Sequence, residues 1–191
     1  DLANWAQTSY KIEGKKENLL ELFEIIKAFV SKKCPPMEEN ASEGWEGNII
    51  LALGIEKGEA YLRGFINGYS LENGVLSIAA EEAWGTTDFR RLLEKHYDGM
   101  KVFYSVEEEG NGIYETNDGE GKYFKFRFSV HTCIDGSSEW EDFITEKEAL
   151  EYIASLLKRK SITKEEIEEW NEEQEDEDDN YIDFHEYEIV E

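Results

Sequence analysis

Residues 6–30 read AQTSYKIEGKKENLLELFEIIKAFV, a predicted strand followed directly by a predicted helix. Apolar and polar residues alternate from Ala6 to Glu13, which is the period of a half-buried strand. After Gly14, the apolar residues recur at helical spacing and form one stripe. They are Leu19, Leu22, Phe23, Ile26, Phe29 and Val30. We therefore predict an amphipathic helix over about residues 16–33, which Pro35 and Pro36 stop because proline lacks the backbone N–H that continues a helix.

The chain from residue 48 to residue 130 predicts further strands and one more helix. Asn73-Gly74 separates two strands and indicates a hairpin, because this pair tolerates the positive φ angles of a tight turn. A helix with Thr86 or Thr87 as its N-cap follows, and strands are predicted over 102–108, 113–116 and 123–130. Residues 48–55 fit either a short buried helix or a strand, since periodicity does not decide at that length.

The resulting order of elements is βαββαβ with two added strands. This is the order of the ferredoxin-like fold, an antiparallel sheet with both helices on one face, so an α+β protein of that type is predicted. We predict a body over residues 1–135 and a helical, acidic extension over residues 136–191. Two helices of the extension begin at capping boxes, Thr145 with Glu148 and Thr163 with Glu166. Residues 181–190 fit a strand or a flexible segment, and the apolar residues of the extension are expected to pack on the body. They are Tyr152, Ile153, Leu156, Leu157 and Trp170.

Negative charge dominates the chain and is concentrated near its end. The 191 residues include 20 Lys+Arg and 45 Asp+Glu, a formal net charge of -25, and 15 of the acids lie between Glu165 and Glu191, where there is no Lys or Arg. Such a field repels nucleic acid, whose phosphates need basic side chains, and suits a basic protein partner. A predicted acidic interaction surface consists of Glu172, Glu173, Glu175, Asp176, Glu177, Asp178 and Asp179.

The sequence predicts a cytoplasmic protein without membrane contact. No apolar run approaches the length of about 18 residues that indicates a transmembrane helix, and the start of the chain lacks the pattern of a signal peptide. Cys34 and Cys133 are the only cysteines. In a chain without a leader we expect them to be free thiols in a reducing compartment, although one disulfide is an alternative.

Several short motifs are similar to those of a known family. Asn4-Trp5 precedes the first strand, Trp84 precedes the second helix, and residues 109–118 and 120–124 read EGNGIYETND and EGKYF. Over about residues 3–130 the chain thereby resembles ferredoxin-like-domain proteins of unknown function that phages, plasmids and conjugative elements carry. The resemblance implies the fold and a mobile-element context, and it implies no activity or catalytic residue. Members often have Cys where this chain has Ala6, and Pro-Glu-Arg where it has Lys125-Phe126-Arg127.

Charged and aromatic residues at the predicted strand ends are candidates for a groove that binds a partner or ligand. They are Trp84, Glu107, Glu109, Tyr114, Asn117 and Asp118. The alternative is a solvated, charged sheet edge, which discourages pairing between the edges of two molecules.

The metal-like and RNA-like patterns are incomplete, so no metal, cofactor or catalytic residue is predicted. His131 and Cys133 share one side of a strand, but a zinc site needs two more ligands. Asp176, Asp178 and Asn180 have calcium-loop spacing, but the required Gly and Glu are replaced by tyrosines. The aromatic residues of 123–128 alternate with basic ones as in some RNA-binding sheets, but the net charge opposes RNA.

These observations favour a non-enzymatic binding or regulatory protein associated with a mobile genetic element, with a protein partner that is basic. One alternative is an acidic protein that mimics DNA and occupies a DNA-binding partner. Another alternative is a carboxylate-based enzyme, which a deep pocket containing a carboxyl group of raised pKa would favour.

Overall fold

The computed structural model describes residues 2–191 and divides them into two compact units. The first unit runs to Gly119 and also includes Val190 and Glu191, and the second unit is Glu120–Ile189. The boundary therefore lies after Gly119, whereas the sequence analysis placed it after residue 135. The mixed α+β class is confirmed, since the described residues form five helices and nine strands.

The first unit is an antiparallel sheet with three helices. Its strands are β1 (Trp5–Glu13), β2 (Gly64–Glu72), β3 (Val75–Ala83), β4 (Lys101–Glu108) and β5 (Ile113–Thr116), and its helices are α1 (Lys16–Val30), α2 (Glu46–Ala52) and α3 (Phe89–His96). The strands lie in the order β2-β3-β1-β4-β5, and each neighbouring pair is antiparallel. Burial alternates along β1 as its sequence predicts, so one face of the strand carries core residues and the other faces outward.

The core of the first unit lies between the helices and the inward face of the sheet. It includes Tyr10 and Ile12 from β1, Leu22 from α1, Ile50 from α2 and Phe89 from α3. All five are almost completely buried, and burial of such side chains supplies about 1.5–3 kcal/mol each.

Helix α1 ends three residues before its predicted end and before the two prolines. Lys32 has a left-handed φ of 62°, its N–H donates to Phe29 O, and the N–H of Lys33 donates to Ala28 O, both at 2.9 Å. These two bonds are the pattern of a Schellman cap, which satisfies the last carbonyl groups of a helix. The helix is therefore terminated by its own backbone rather than by Pro35 and Pro36.

The segment that fitted a helix or a strand is the helix α2. It buries Ile49 and Ile50, and the indole N–H of Trp45, just before the helix, donates to Leu62 O at 2.8 Å. Asn48 Nδ2 donates to the carbonyl groups of Ser42 and Glu43, which holds the preceding loop against the helix.

The predicted N-cap of α3 is wrong. The N-cap is Asp88, and it makes no side-chain capping bond; its Oδ2 accepts from the N–H of Tyr61 at 2.7 Å instead. Thr87 Oγ1 accepts from the N–H of Phe89, the first residue of α3, at 3.3 Å, and its hydroxyl also contacts two buried carboxyl groups.

The β2–β3 hairpin turns at Asn73 and Gly74, as predicted, with φ angles of 52° and 75°. Gly74→Ala is expected to lower the free energy of unfolding by about 1 kcal/mol, because a Cβ is unfavourable at left-handed φ. Gly14→Ala is the control, because its Cβ would meet Met100 at an ordinary 3.6 Å without left-handed φ. Urea unfolding of both variants checks the prediction, and equal losses would contradict it.

The second unit is a three-stranded sheet with two helices. Its elements are β6 (Phe128–Ile134), β7 (Ser137–Phe143), α4 (Glu146–Leu156), α5 (Lys164–Glu172), β8 (Tyr181–Glu186) and the short β9 (Glu188–Ile189). The sheet has the order β7-β6-β8, with antiparallel pairs. The strand predicted over 123–130 is wrong at its start, because β6 begins only at Phe128. Before it, the guanidinium of Arg127 donates back to Phe124 O at 2.8 Å.

The capping box predicted at Thr163 and Glu166 is complete, whereas at Thr145 only the N-cap half of the predicted box is present. Thr145 and Thr163 each accept a backbone N–H from the glutamate three residues later. Ile153 of α4 and Ile167 of α5 pack with Val130 of β6, and Tyr152, Leu157 and Trp170 lie against this core. Residues 181–186 form a strand, which resolves the alternative left open for the end of the chain. Among the described helices, none combines the length and apolarity that crossing a bilayer requires.

Candidate functional site

The predicted groove residues fall at two opposite ends of the first sheet. Glu107 of β4 is directly opposite Tyr114 of β5, and Glu109 follows the end of β4. Trp84 follows β3 at this same end, since the ends of β3 and β4 both lie beside the start of β1. Trp84 is 49% exposed and has a φ of 66°, a conformation that is unfavourable for a bulky residue and is enriched at functional sites.

Asn117 and Asp118 lie toward the opposite end, beside the start of β4. The side chain of Asn117 accepts from the N–H of Tyr104 at 2.8 Å and donates to Val102 O at 2.9 Å. The N–H of Asp118 donates to the hydroxyl of Thr116 at 3.1 Å. The Asn117 amide thus continues the β4–β5 ladder by one step, and these two residues do not share a groove with Trp84.

A group of four polar side chains that the sequence analysis did not name lies inside the first unit. Glu46 begins α2, Glu82 lies near the end of β3, Tyr10 is on β1 and Thr87 precedes α3. Glu46 and Glu82 have no solvent exposure, and Tyr10 is 1% exposed. Burial of two carboxyl groups is costly unless protons and hydrogen bonds compensate.

Two hydroxyl groups bind the carboxyl pair. The hydroxyl of Tyr10 donates to Glu82 Oε2 at 2.6 Å. The hydroxyl of Thr87 lies 2.6 Å from Glu46 Oε1 and 3.0 Å from Glu82 Oε2, so Thr87 connects the two acids. The backbone approaches closely here as well, because a Cβ at Gly64 would overlap Glu46 Oε1.

A proton on Glu46 accounts for the burial of the two acids. As carboxylates, the groups leave Glu46 Oε2 and Glu82 Oε1 without a hydrogen-bond donor, whereas a protonated Glu46 donates to Glu82 and satisfies both. Burial, followed by the charge and hydrogen bond of Glu82, raises the pKa of Glu46 well above its ordinary 4.5. Burial and the two acids also raise the pKa of Tyr10 well above 10. Glu46 therefore retains its proton at pH values where an exposed glutamic acid is ionised, and Tyr10 remains a donor.

The carboxyl pair lies next to a small cleft. Tyr10 and Thr87 line a cavity of about 190 Å³. The other lining residues are Thr86, Arg90, Arg91, Tyr104, Glu115, Val190 and Glu191. The guanidinium of Arg90 lies over the ring of Tyr104, 4.9 Å from its centroid, and 3.1 Å from Glu94. Two hydroxyls that contact the acid pair thus share a cleft with two cationic side chains.

Part of this site has a signal in the sequence. Leu76, Ile78, Ala80 and Glu82 alternate with more polar positions along β3, so strand parity directs Glu82 to the core face. Glu46 has no such signal, because acidic residues are common in the first turn of a helix and most of them are solvated.

The predicted acidic interaction surface belongs to the second unit, where it connects α5 to β8. Residues 120–189 carry 22 Asp and Glu against 8 Lys and Arg, a net of -14, whereas the residues of the first unit carry 23 against 12, a net of -11. All seven residues of the surface, Glu172, Glu173, Glu175, Asp176, Glu177, Asp178 and Asp179, are exposed.

Hydrogen bonds hold this acidic connection in one conformation. At its base, the side chain of Asn171 binds both the N–H and the carbonyl of Ile182 at 2.8 Å. At its far side, the N–H of Gly136 donates to Asp179 O and the N–H of Asp135 donates to Asn180 Oδ1, both at 3.0 Å. The backbone of the connection is therefore anchored at both ends, to α5, to β8 and to the β6–β7 turn, and its seven carboxylates project from this anchored segment.

A scan against family models and searches of curated proteins and of solved structures each found no match for this chain.

Proposed function

We propose that this chain is a non-enzymatic binding or regulatory protein whose acidic connection, residues 172–179, binds a basic protein. The observation that carries the proposal is that seven exposed carboxylates lie on an anchored segment between two packed elements. An anchored segment loses less conformational entropy on binding than a flexible tail does, so more of the electrostatic attraction is retained as affinity.

The position of the charge also supports a binding role. Glu172 is the last residue of α5 and Glu173 is its C-cap, where the negative end of the helix dipole disfavours acids by about 0.3–1 kcal/mol each. Adjacent carboxylates repel one another as well. These acids lower the stability of the folded protein, which is consistent with a surface whose role is to bind a partner.

The test neutralises this surface and compares it with a variant of equal charge. In the first variant the seven acids become Gln or Asn; in the second, seven exposed acids of the first unit do. The second set is Glu17, Glu24, Glu39, Glu56, Glu59, Glu72 and Asp98. Each variant and the wild type are immobilised, and basic proteins captured from a lysate of the natural host are eluted with a salt gradient.

The first variant is expected to lose a partner that the wild type and the second variant retain. It is also expected to unfold at a higher urea concentration than the wild type, because repulsion at the end of α5 is removed. Equal loss of the partner in both variants would contradict the proposal, because it would assign binding to net charge alone.

The DNA-mimic alternative is a special case of this proposal. It requires that the captured partner bind DNA and that DNA compete with the protein for it. Imitation of DNA phosphates needs carboxylates at defined spacing. A segment anchored at both ends suits this role better than a flexible tail would. Capture that DNA does not displace would exclude the mimic and leave protein binding in place.

We further propose that the first unit is ferredoxin-like and that the protein acts in the cytoplasm in association with a mobile genetic element. The strand order β2-β3-β1-β4, all antiparallel, with α1 after β1 and α3 after β3, supports the fold. The short motifs around Trp5, Trp84 and residues 109–118 support the mobile-element context by resemblance.

The carboxyl pair supports a second candidate function, acid–base chemistry on a small polar molecule in the 190 Å³ cleft. A carboxyl group of raised pKa beside a cleft is a common feature of catalytic sites. Saturation-transfer NMR with small anions tests it, and Thr86→Phe, which fills the cleft, is the matched variant. Signals that are absent from the wild type, or unchanged by Thr86→Phe, would exclude this candidate.

A further inference from the structure

Strand β7 is an exposed sheet edge. It pairs with β6 over its whole length, Ile134↔Ser137 to Phe128↔Phe143, and among the described strands it has no neighbour on its other side. The first five residues of β7 are exposed and the last two are half-buried. An edge strand with uncovered backbone groups is a template to which an extended segment of another chain can add.

The turn geometry defines which backbone groups point outward. The two-residue turn at Asp135 and Gly136 has φ angles of 50° and 79°, so the flanking pair Ile134–Ser137 is hydrogen-bonded and the pairs alternate from there. The N–H and carbonyl groups of Ser138, Trp140 and Asp142 therefore point away from β6. Three donors and three acceptors are thereby presented at regular spacing.

The charges along this edge select the partner. Glu139 and Glu141 are exposed, and among the described residues neither forms an ion pair with Lys or Arg. The hydroxyl of Tyr152 donates to Glu139 Oε2 at 2.8 Å, which places Glu139 on the face of the sheet that α4 covers. Trp140 points to the opposite face, stacks on His131 at 4.6 Å between centroids and is 41% exposed.

The acidic connection contacts the β6–β7 turn, which immediately precedes β7. Gly136, one residue before β7, donates its N–H to Asp179 O, and Asp135 donates to Asn180. The connection leads into β8, which lies on the other side of β6 from β7. It therefore adds acidic charge near the turn at the start of β7, while the acids of the outer edge itself are Glu139 and Glu141.

We propose that a basic, extended segment of a partner protein adds to β7 as a fourth strand, with Lys or Arg at alternate positions opposite Glu139 and Glu141. This inference rests on the proposed function and names where and how the basic partner binds. A second copy of this chain fits poorly, because pairing of two β7 edges would place acidic residues against one another.

The alternation defines the chemistry of the segment. Residues opposite Glu139 and Glu141 turn their N–H groups away from β7, and the residues between them turn their N–H groups toward it. The intervening side chains lie beside Trp140, where uncharged residues fit. A suitable probe is the seven-residue peptide Lys-Thr-Lys-Val-Lys-Thr-Lys with blocked ends.

The experiment measures the Kd of this peptide by titration of the ¹⁵N-labelled full chain. One control peptide is N-methylated at Thr, Val and Thr, and the other at three of the lysines. The first loses the hydrogen bonds to β7 and is expected to bind at least about tenfold more weakly, whereas the second is expected to bind within about threefold of the parent. Chemical-shift changes are expected along Ser137–Phe143.

Two protein variants distinguish the contribution of the Trp140 backbone N–H to peptide binding from that of its side chain. Trp140→Pro removes an outward N–H without breaking the β6 ladder, and Trp140→Ala removes only the ring. Trp140→Pro is expected to bind about fivefold more weakly than Trp140→Ala, by the loss of one hydrogen bond. The β6 resonances of each variant report whether the sheet is intact.

The outcomes distinguish this inference from the proposed function. Binding that is lost when the residues 172–179 are neutralised, but is equal for both methylated peptides, overturns strand addition and leaves the acidic surface as the binding element. Absence of any salt-sensitive binding of the peptide overturns the inference, and the lysate capture then decides the proposed function independently. Weaker binding of the first methylated peptide, together with weaker binding of the parent peptide to Trp140→Pro, supports strand addition.

Discussion

Glu46→Gln is expected to become more stable relative to the wild type as the pH rises above about 4.5. Below that value, both the folded and the unfolded wild-type chains carry the Glu46 proton, because 4.5 is the ordinary pKa of the group. Above it, the unfolded chain releases the proton, whereas burial and Glu82 raise the folded pKa and keep the proton bound. Folding then takes up a proton, so the contribution of this group to stability falls as pH rises, by about 1.4 kcal/mol per pH unit, until Glu46 ionises in the folded protein.

Glutamine is the appropriate replacement because it resembles the protonated acid. Its oxygen can accept from Thr87, as Glu46 Oε1 does now, and its NH₂ group can donate to Glu82 where the carboxylate form leaves two oxygens without a donor. Since glutamine does not titrate, its contribution to the free energy of unfolding does not change with pH. The difference between variant and wild type therefore isolates the titration of Glu46 from that of the many other carboxyl groups.

The measurement is the free energy of unfolding in urea at a series of pH values from 4 to 9 for both proteins. Glu39→Gln, the same substitution at an exposed position, is the control. Parallel profiles for Glu46→Gln would show that the two acids do not share a proton, and they would also remove the support for acid–base chemistry in the cleft.

Local patterns predicted the elements whose cause is local. The turn at Asn73 and Gly74 depends on φ angles that these two residues tolerate, and the helices α4 and α5 begin where Thr145 and Thr163 accept the N–H groups that need a cap. The alternation of β1 is retained because one face of the strand meets the core. In each case the energy that determines the structure comes from residues within a few positions.

The missed features depend on long-range contacts. Thr87 accepts the N–H of Phe89 at the start of α3, but its hydroxyl also binds Glu46, which is 41 residues away in sequence. The strand β7 was not predicted because SSEWEDF lacks an apolar face, and its pairing with β6 supplies the order that the sequence does not suggest. The sequence gives no sign of the pairing of Glu46 with Glu82, since only the fold brings the two acids together.

The acidic connection illustrates the same limit for function. Its composition is evident from the sequence, and so is its attraction for basic partners. Whether it is a flexible tail or an anchored segment depends on Asn171 and on the β6–β7 turn, and both act across sequence-distant residues. Only an anchored segment can present its carboxylates to a partner at a defined spacing.

Gly64→Ala is expected to lower the free energy of unfolding by about 2–3 kcal/mol, a large effect for one methyl group. The added Cβ would overlap Glu46 Oε1 and approach Glu82 Cγ to 2.9 Å. Both acids are fully buried and bound to Thr87, so neither can move without losing a hydrogen bond inside the core.

Gly68→Ala is the control for this prediction, because Gly68 is on the same strand and its Cβ would meet only Ala79 Cβ, at 3.4 Å. That change is expected to alter stability by no more than about 0.5 kcal/mol. A double-mutant cycle with Glu46→Ala then identifies the cause. If the overlap with Glu46 is responsible, Gly64→Ala costs at least about 1 kcal/mol less in that background, because the colliding carboxyl group is absent. An unchanged cost would assign the effect to the β2 backbone instead, and the close approach of Gly64 would then not be what holds the acid pair in place.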